Sequence, residues 1–223
     1  MSRRSIQPLS LSGGLLLLLT ITMVALVLSL FWGRYELPWQ EGVAILWQWI
    51  TNAPLTNEQE TQLTVMLDIR LPRLIAAIAI GAALAVSGAA FQGLFMNPLV
   101  SPGVLGVLSG AAFGAALGML FGVEWLVIQV ASFVGALASL LLALWLGRDK
   151  EEPGMVRLVL AGMIVGSLFT ALLSVIKYMA DPYDKLPAIV YWLMGSLSMI
   201  DGATIAVLAP LMLVGVLLLI AYG

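Results

Sequence analysis

The sequence predicts an all-α membrane protein, a multi-span bundle of about six transmembrane helices. Three observations carry that expectation. Of the 223 residues, 61% are hydrophobic and only 10% charged, where a soluble domain carries about 25% charged residues. Mean hydropathy is +1.06. The apolar residues also fall in blocks of about twenty, the length an α-helix needs to cross ~30 Å of hydrocarbon.

The first block, Leu11–Trp32, is uncharged throughout and follows Arg3 and Arg4. A cleaved signal peptide would have a shorter apolar run and a small-residue cleavage site after it. Gly33–Ile69 is polar and mixed, with Trp32, Tyr35, Trp39, Trp47 and Trp49 in or near its first half. Such rings suit a membrane interface, and Glu41–Ile50 suits a short helix lying there. Five further spans follow: Leu74–Phe95, Gly103–Phe121, Trp125–Leu146, Leu158–Ile176 and Ala203–Tyr222. Lys177 can snorkel from the end of the fifth. Asp181–Asp201, with Pro182, Pro187, Tyr191 and Trp192, suits a second short interfacial helix, with Trp192 anchoring at the interface. Asp201-Gly202 reads as an N-terminal signal for the last helix.

With a cytoplasmic N-terminus, Arg3, Arg4, Arg148, Lys150 and Arg157 lie inside, and Arg34, Arg70, Arg73, Lys177 and Lys185 outside. The positive-inside rule is balanced on that count. The short basic loop Gly147–Gly154 and the acid-rich outer segments favour the N-terminus inside.

Small residues recur every fourth position: Gly106, Gly110, Gly114, Gly118 and Gly122 in the third span; Gly81, Ala85, Ala89 and Gly93 in the second; Ala131, Gly135, Ser139, Ala143 and Gly147 in the fourth. Such ridges let membrane helices approach closely. That serves plain bundle packing, and equally a bundle that slides between two states.

Several function classes are excluded. There is no cysteine and no histidine, so thiolate chemistry, haem ligation by histidine and the usual zinc sites are unavailable. No basic stripe suits nucleic acid. No ionisable residue sits in the middle of a span, where ion-coupled carriers usually hold one. A pathway driven by energy from elsewhere fits best. No cofactor, metal site or catalytic residue is expected.

The run Arg70-Leu71-Pro72-Arg73, then Gly81–Gly88, Gln92 and Asn97-Pro98-Leu99-Val100-Ser101-Pro102-Gly103-Val104-Leu105-Gly106, with Tyr191-Trp192-Leu193-Met194-Gly195-Ser196-Leu197 further on, resembles the permease subunits of ABC importers for iron-siderophores, cobalamin and haem. The likeness is dense in the second and third spans and looser from Leu11 to about Gly223.

The resemblance implies a bacterial inner-membrane, multi-pass permease, not itself an enzyme. Two copies would form a pathway, with ATP hydrolysed by a cytoplasmic partner subunit. A periplasmic or lipid-anchored binding protein would deliver a metal chelate, with ferric siderophore the first expectation and haem or cobalamin the others. Family members have ten spans, so residues 1–223 correspond to one permease domain, the N-terminal part of a ten-helix type II importer permease. The cytoplasmic coupling helix would follow the sixth span, and a chain lacking it is expected to insert without transporting. A non-transporting assembly subunit and an ion-coupled secondary carrier are the competing classes.

Site residues follow by position. Arg70 and Arg73 match arginines at the outer mouth that pair with acids of the binding protein. Pro72 suits a first helical turn, which would set the two three apart on one face, where forked guanidiniums suit carboxylates. Anchoring to lipid phosphate is the plainer reading of the same pair. Asn97 and Leu99 match a constriction at the cytoplasmic end. Asn97-Pro98 and Ser101-Pro102 interrupt the helix, as a cavity wall or an ordinary interhelical turn would. Met155 and Val156 align with a second constriction. Gln92 lines the pathway or bonds a neighbouring helix.

The orientation is directly testable, because the chain has no native cysteine. Cysteines placed at Ser5 and Glu151 are expected to resist a membrane-impermeant thiol reagent in whole cells. Free labelling at either position reverses the topology.

Overall fold

The computed structural model describes residues 11–98, 100–148 and 155–222. Among them all regular structure is helical: α1 (Leu11–Phe31), α2 (Trp39–Ile50), α3 (Asn57–Thr64), a π-helical turn (Val65–Arg70), α4 (Leu71–Leu94), a 3-10 turn (Pro102–Leu105), α5 (Val107–Phe121), α6 (Trp125–Gly147), α7 (Met155–Met179), α8 (Lys185–Met194) and α9 (Gly202–Tyr222). Five of the six expected spans are long and apolar enough to cross a bilayer. The other, expected over Gly103–Phe121, becomes helical only at Val107. Its 15 residues rise ~22 Å, short of the ~30 Å core. Arg3, Arg4 and Lys150 lie outside the described residues.

The chain forms two compact units. One holds residues 11–81 and 197–214, the other residues 82–196 and 215–222.

In the first unit α1 is apolar all round and none of its span is buried, as suits a helix facing lipid. Pro38 stands at the N-cap of α2. Gly42 lets α2 settle on the end of α1, since a Cβ there would come 2.6 Å from the Phe31 ring. Leu37, Ile45 and Met66 are buried, while Trp39, Trp47, Trp49 and Ile50 stay exposed. The short helix expected over Glu41–Ile50 is thus present, beginning two residues earlier at Trp39.

The stretch expected as polar loop up to Ile69 contains a second helix, α3. Thr56 and Gln59 form a capping box: Thr56 Oγ1 accepts from the Gln59 amide at 3.3 Å and Gln59 Oε1 from the Thr56 amide at 3.0 Å. Glu58 and Glu60 add favourable charge in the first turn. Helical backbone then runs unbroken over Asn57–Leu94, 38 residues. Pro72 is thus the second residue of α4, in its first turn as expected, but helical backbone also precedes it. Its ring would collide with the carbonyl four residues back, and its nitrogen donates nothing. The π turn widens the helix just there, and the Leu71 amide reaches back to Met66 O.

The second unit is built on α5, α6 and α7. Gly110 and Gly135 face each other so closely that a Cβ on either would overlap the other's carbonyl oxygen. Gly114 meets the Ala131 carbonyl in the same way, and Gly162 of α7 meets Val104 of the 3-10 turn. Lipid is as apolar as leucine, so contact area and interhelical hydrogen bonds hold such helices together. Buried Ser139 supplies one, donating to Gly106 O at 2.8 Å. Gly106 has φ +75, a conformation glycine adopts without strain. Phe113 and Phe169 meet edge-on, centroids 5.5 Å apart, beside buried Ala143 and Val165. Ile189 brings α8 onto Ala116, Leu173 and Ile176.

The ridges expected on α5 and α6 are thus in use. On α4, Cβ atoms built at Gly81, Gly88 and Gly93 would meet nothing within 4 Å.

Gly110→Ala is expected to destabilise by about 1–3 kcal/mol, since it overpacks a closed contact. Gly88→Ala is expected to stabilise by about 0.5–1 kcal/mol, since it removes a glycine from an open helix position. Thermal unfolding of both variants in one detergent should show shifts of opposite sign.

Candidate functional site

One face of α7 packs on α5 and α6. The other keeps an open groove of about 590 Å³ lined by Met163, Gly166, Ser167, Thr170, Ala171 and Ser174. Its hydroxyls lie on one helical face because positions three, four and seven apart stack. Ser167 donates to Met163 O at 2.9 Å, Thr170 to Gly166 O at 2.8 Å and Ser174 to Thr170 O at 3.0 Å. Thr170 also lies 3.3 Å from Ser109 Oγ on α5. With the hydroxyl protons directed at carbonyls, oxygen lone pairs face the groove. The wall can accept hydrogen bonds from a passing solute but carries no charge to trap it. Sequence reading missed this stripe, although Ser167, Thr170 and Ser174 show the helical spacing.

The two arginines of the entry motif hold backbone. Arg70 closes the π turn. Its Nη1 donates to Leu30 O in the last turn of α1 at 2.7 Å, and its Nη2 donates to Tyr35 O. A cation there also meets the negative end of the α1 dipole. Arg73, in the first turn of α4, donates from Nη2 to Ser198 O at 2.7 Å. Its Nε is buried without a partner. The pair shares one stretch of helix, but the two guanidiniums reach different carbonyls. Both side chains keep partial exposure.

Asn97 sits where α4 ends. The Asn97 amide reaches back to Gln92 O at 3.2 Å and the Met96 amide to Gly93 O at 3.2 Å, the Schellman pattern of helix termination. That pattern needs a left-handed residue at the position Met96 occupies, and Met96 has φ 45. The equivalent turns after α2 and α5 use Asn52 and Gly122, the usual choices. Met96 is 88% exposed, so no burial compensates its backbone. Strain of this kind gathers at functional segments. Asn97 and Gln92 are exposed, as are Met155 and Val156, which open α7. Leu99 lies outside the described residues.

Two further polar contacts hold helix ends, one in each unit. Lys185 Nζ donates to Leu120 O, placing a cation at the C-terminus of α5. Asp201 Oδ1 accepts from the Thr204 amide at 2.8 Å. Hydrogen bonds from the Thr204 side chain and backbone hold its carboxyl below the usual range. This is the helix start that Asp201-Gly202 predicts, and its charge is lost only as pH falls through that lowered value.

Comparison with known proteins places these features in a lineage. Residues 21–223 match the model of the FecCD transport family. The molybdate import permease of Haemophilus influenzae is 37% identical, covering 82% of this chain and 52% of its own length. The hemin transport permease of Yersinia pestis is 35% identical over 93% of this chain and 59% of its own. A vitamin B12 import permease of Yersinia enterocolitica is 35% identical over 70% and 46%. A solved chain described as an inward-facing metal-chelate type ABC transporter superimposes with TM-score 0.71 at 35% identity, covering 90% of this chain and 58% of that one. The chain spans about half the length of the curated relatives it matches.

Relieving left-handed strain at Met96 is worth about 1–2 kcal/mol, and glycine gives back about 0.5–1 kcal/mol in entropy. Met96→Gly is therefore expected to raise stability by about 0.5–1 kcal/mol. An unchanged or lowered midpoint in thermal unfolding would mean the turn is not strained.

Proposed function

The chain belongs to the FecCD transport family and is a multi-pass membrane protein, and we propose that it acts as the permease subunit of an ABC importer in a bacterial inner membrane. The observation that carries the reading is the family match over residues 21–223. It is supported by a transmembrane helix whose open face offers hydroxyls and a thioether without charge. Such a wall suits a solute that must bind weakly and leave. A second copy would complete the pathway, and ATP hydrolysis would take place in a separate cytoplasmic subunit.

The proposed cargo is a metal chelate, with ferric siderophore, haem and cobalamin as its members. Relatives named for iron chelate, hemin and vitamin B12 favour it. So does a groove with hydrogen-bond acceptors and no cation, which suits neutral or weakly charged chelates better than a bare oxyanion. The relative named for molybdate marks the alternative.

In this reading the helical stretch carrying Arg70 and Arg73 is where the binding protein docks. A guanidinium has five donors, so one or two bonds to backbone carbonyls leave others for a partner's carboxylates. Asn97 and Leu99, with Met155 and Val156, gate the cytoplasmic end, and Gln92 lines the approach to it. Strain at Met96 would let that segment change conformation cheaply.

The test joins a substrate-binding protein from the same genome to the permease in nanodiscs. Native mass spectrometry of the purified binding protein is expected to show a metal chelate, and bound molybdate would reassign the cargo. Arg73→Glu is expected to weaken docking at least tenfold, about 1.4 kcal/mol, with the thermal midpoint of the permease as the control for folding. Wild-type affinity in a folded variant would remove Arg73 from the interface.

A further inference from the structure

Where α1 ends and α2 begins, a groove of about 770 Å³ opens beside the membrane-facing surface of α1. Its volume lies in the range of ligand pockets. Leu28, Phe31 and Val43 supply an apolar shaft, and Trp32 and Trp39 stand at its mouth, 82% and 63% exposed. Tryptophan belongs at headgroup level, with the ring in the apolar layer and the indole N–H in the wet one. The shaft is therefore at acyl-chain depth and the mouth at headgroup depth.

Two opposite charges stand at that mouth. Glu36, exposed, lines the groove directly. The Arg70 guanidinium lies behind Gly33, another lining residue: a Cβ on Gly33 would come 2.8 Å from Arg70 Nη2. The absence of a side chain at Gly33 leaves the cation close to the groove wall. An acyl-chain slot with indoles, an anion and a cation near one end offers a partner to each part of a zwitterionic aminophospholipid: hydrocarbon, phosphate and ammonium.

We propose that the α1–α2 groove is a binding site for one aminophospholipid, its acyl chain along Leu28, Phe31 and Val43, its ammonium at Glu36 and its phosphate toward Arg70. The occupant comes from the bilayer, because the groove is continuous with α1, a helix long and apolar enough to cross it. Arg70 already ties Leu30 O and Tyr35 O to the helix that carries it. The lipid would sit against the same strut and brace α2 on α1. The site stands independently of what the protein transports.

The experiment is native mass spectrometry of the chain purified in mild detergent, with excess phosphatidylglycerol added as competitor. The wild type is expected to keep one phosphatidylethanolamine per chain. Val43→Trp, at a half-exposed position, fills the shaft and is expected to cut that occupancy at least tenfold. Glu36→Gln, in an exposed segment, is expected to keep a bound lipid but lose the ethanolamine preference several-fold. Should Val43→Trp fail to fold, the Glu36→Gln comparison decides alone. A wild type that retains no phospholipid, or retains it without headgroup preference, overturns the proposal. So does wild-type occupancy in a folded Val43→Trp, or unchanged preference in Glu36→Gln.

Discussion

The second unit depends on backbone meeting backbone where α5 crosses α6. Gly110 and Gly135 approach with no side chain between them, and Gly114 meets the Ala131 carbonyl one turn on. In a bilayer, burying apolar surface between helices gains little, because lipid tails are equally apolar. What remains is dispersion at close range, which falls off steeply once a gap opens, and hydrogen bonds such as Ser139 to Gly106 O. Close packing here has consequences further out. It fixes a helix of only 15 residues. It also positions Gly106 and the 3-10 turn against Gly162 of α7. With one face of α7 committed to that contact, its hydroxyl face is left open.

The charged groups follow a second rule. Arg70 donates to Leu30 O near the end of α1, and Lys185 to Leu120 O near the end of α5. Arg73 differs, donating to Ser198 O in the turn between α8 and α9 rather than at a helix C-terminus. The last carbonyls of a helix have no partner within it, and near a membrane they have little water. A long basic side chain from another element satisfies them and meets the dipole as well. Arg70 and Arg73 therefore have structural work in addition to any partner they recruit. Charge reversal at Arg70 loosens the end of α1, which makes Arg73 the cleaner probe of docking.

Fold and cargo separate in this lineage. Relatives of similar identity are named for molybdate, hemin and vitamin B12, solutes that share neither size nor charge. One fold carries that range of names, as expected when function lies in a site set on a common scaffold. In this chain the open face of α7 bears Ser167, Thr170 and Ser174, whose hydroxyls donate to backbone carbonyls of their own helix.

The sequence by itself determined five of the six spans, two short helices between them and the glycine ridge shared by α5 and α6. Each is a property of length, composition or helical period, and these are local. The Thr56–Gln59 capping box was equally local, and reading it would have found α3. Tertiary structure alone decided the rest. Small residues on α4 show the same four-residue spacing as those on α5, yet a Cβ at Gly81 or Gly93 would meet nothing within 4 Å where one at Gly110 or Gly114 would overlap backbone, because spacing states what a helix can approach and not what lies opposite. Pro72 resembled a helix start until the helix N-terminal to it absorbed it through a π turn. Arg70 and Arg73 were legible as a pair, but the carbonyls they hold lie 40, 35 and 125 residues away in the chain. No local pattern encodes a partner at that separation. Met96 looks ordinary in sequence. Only the way α4 must end, with two amides reaching back to Gln92 and Gly93, forces it into the left-handed region.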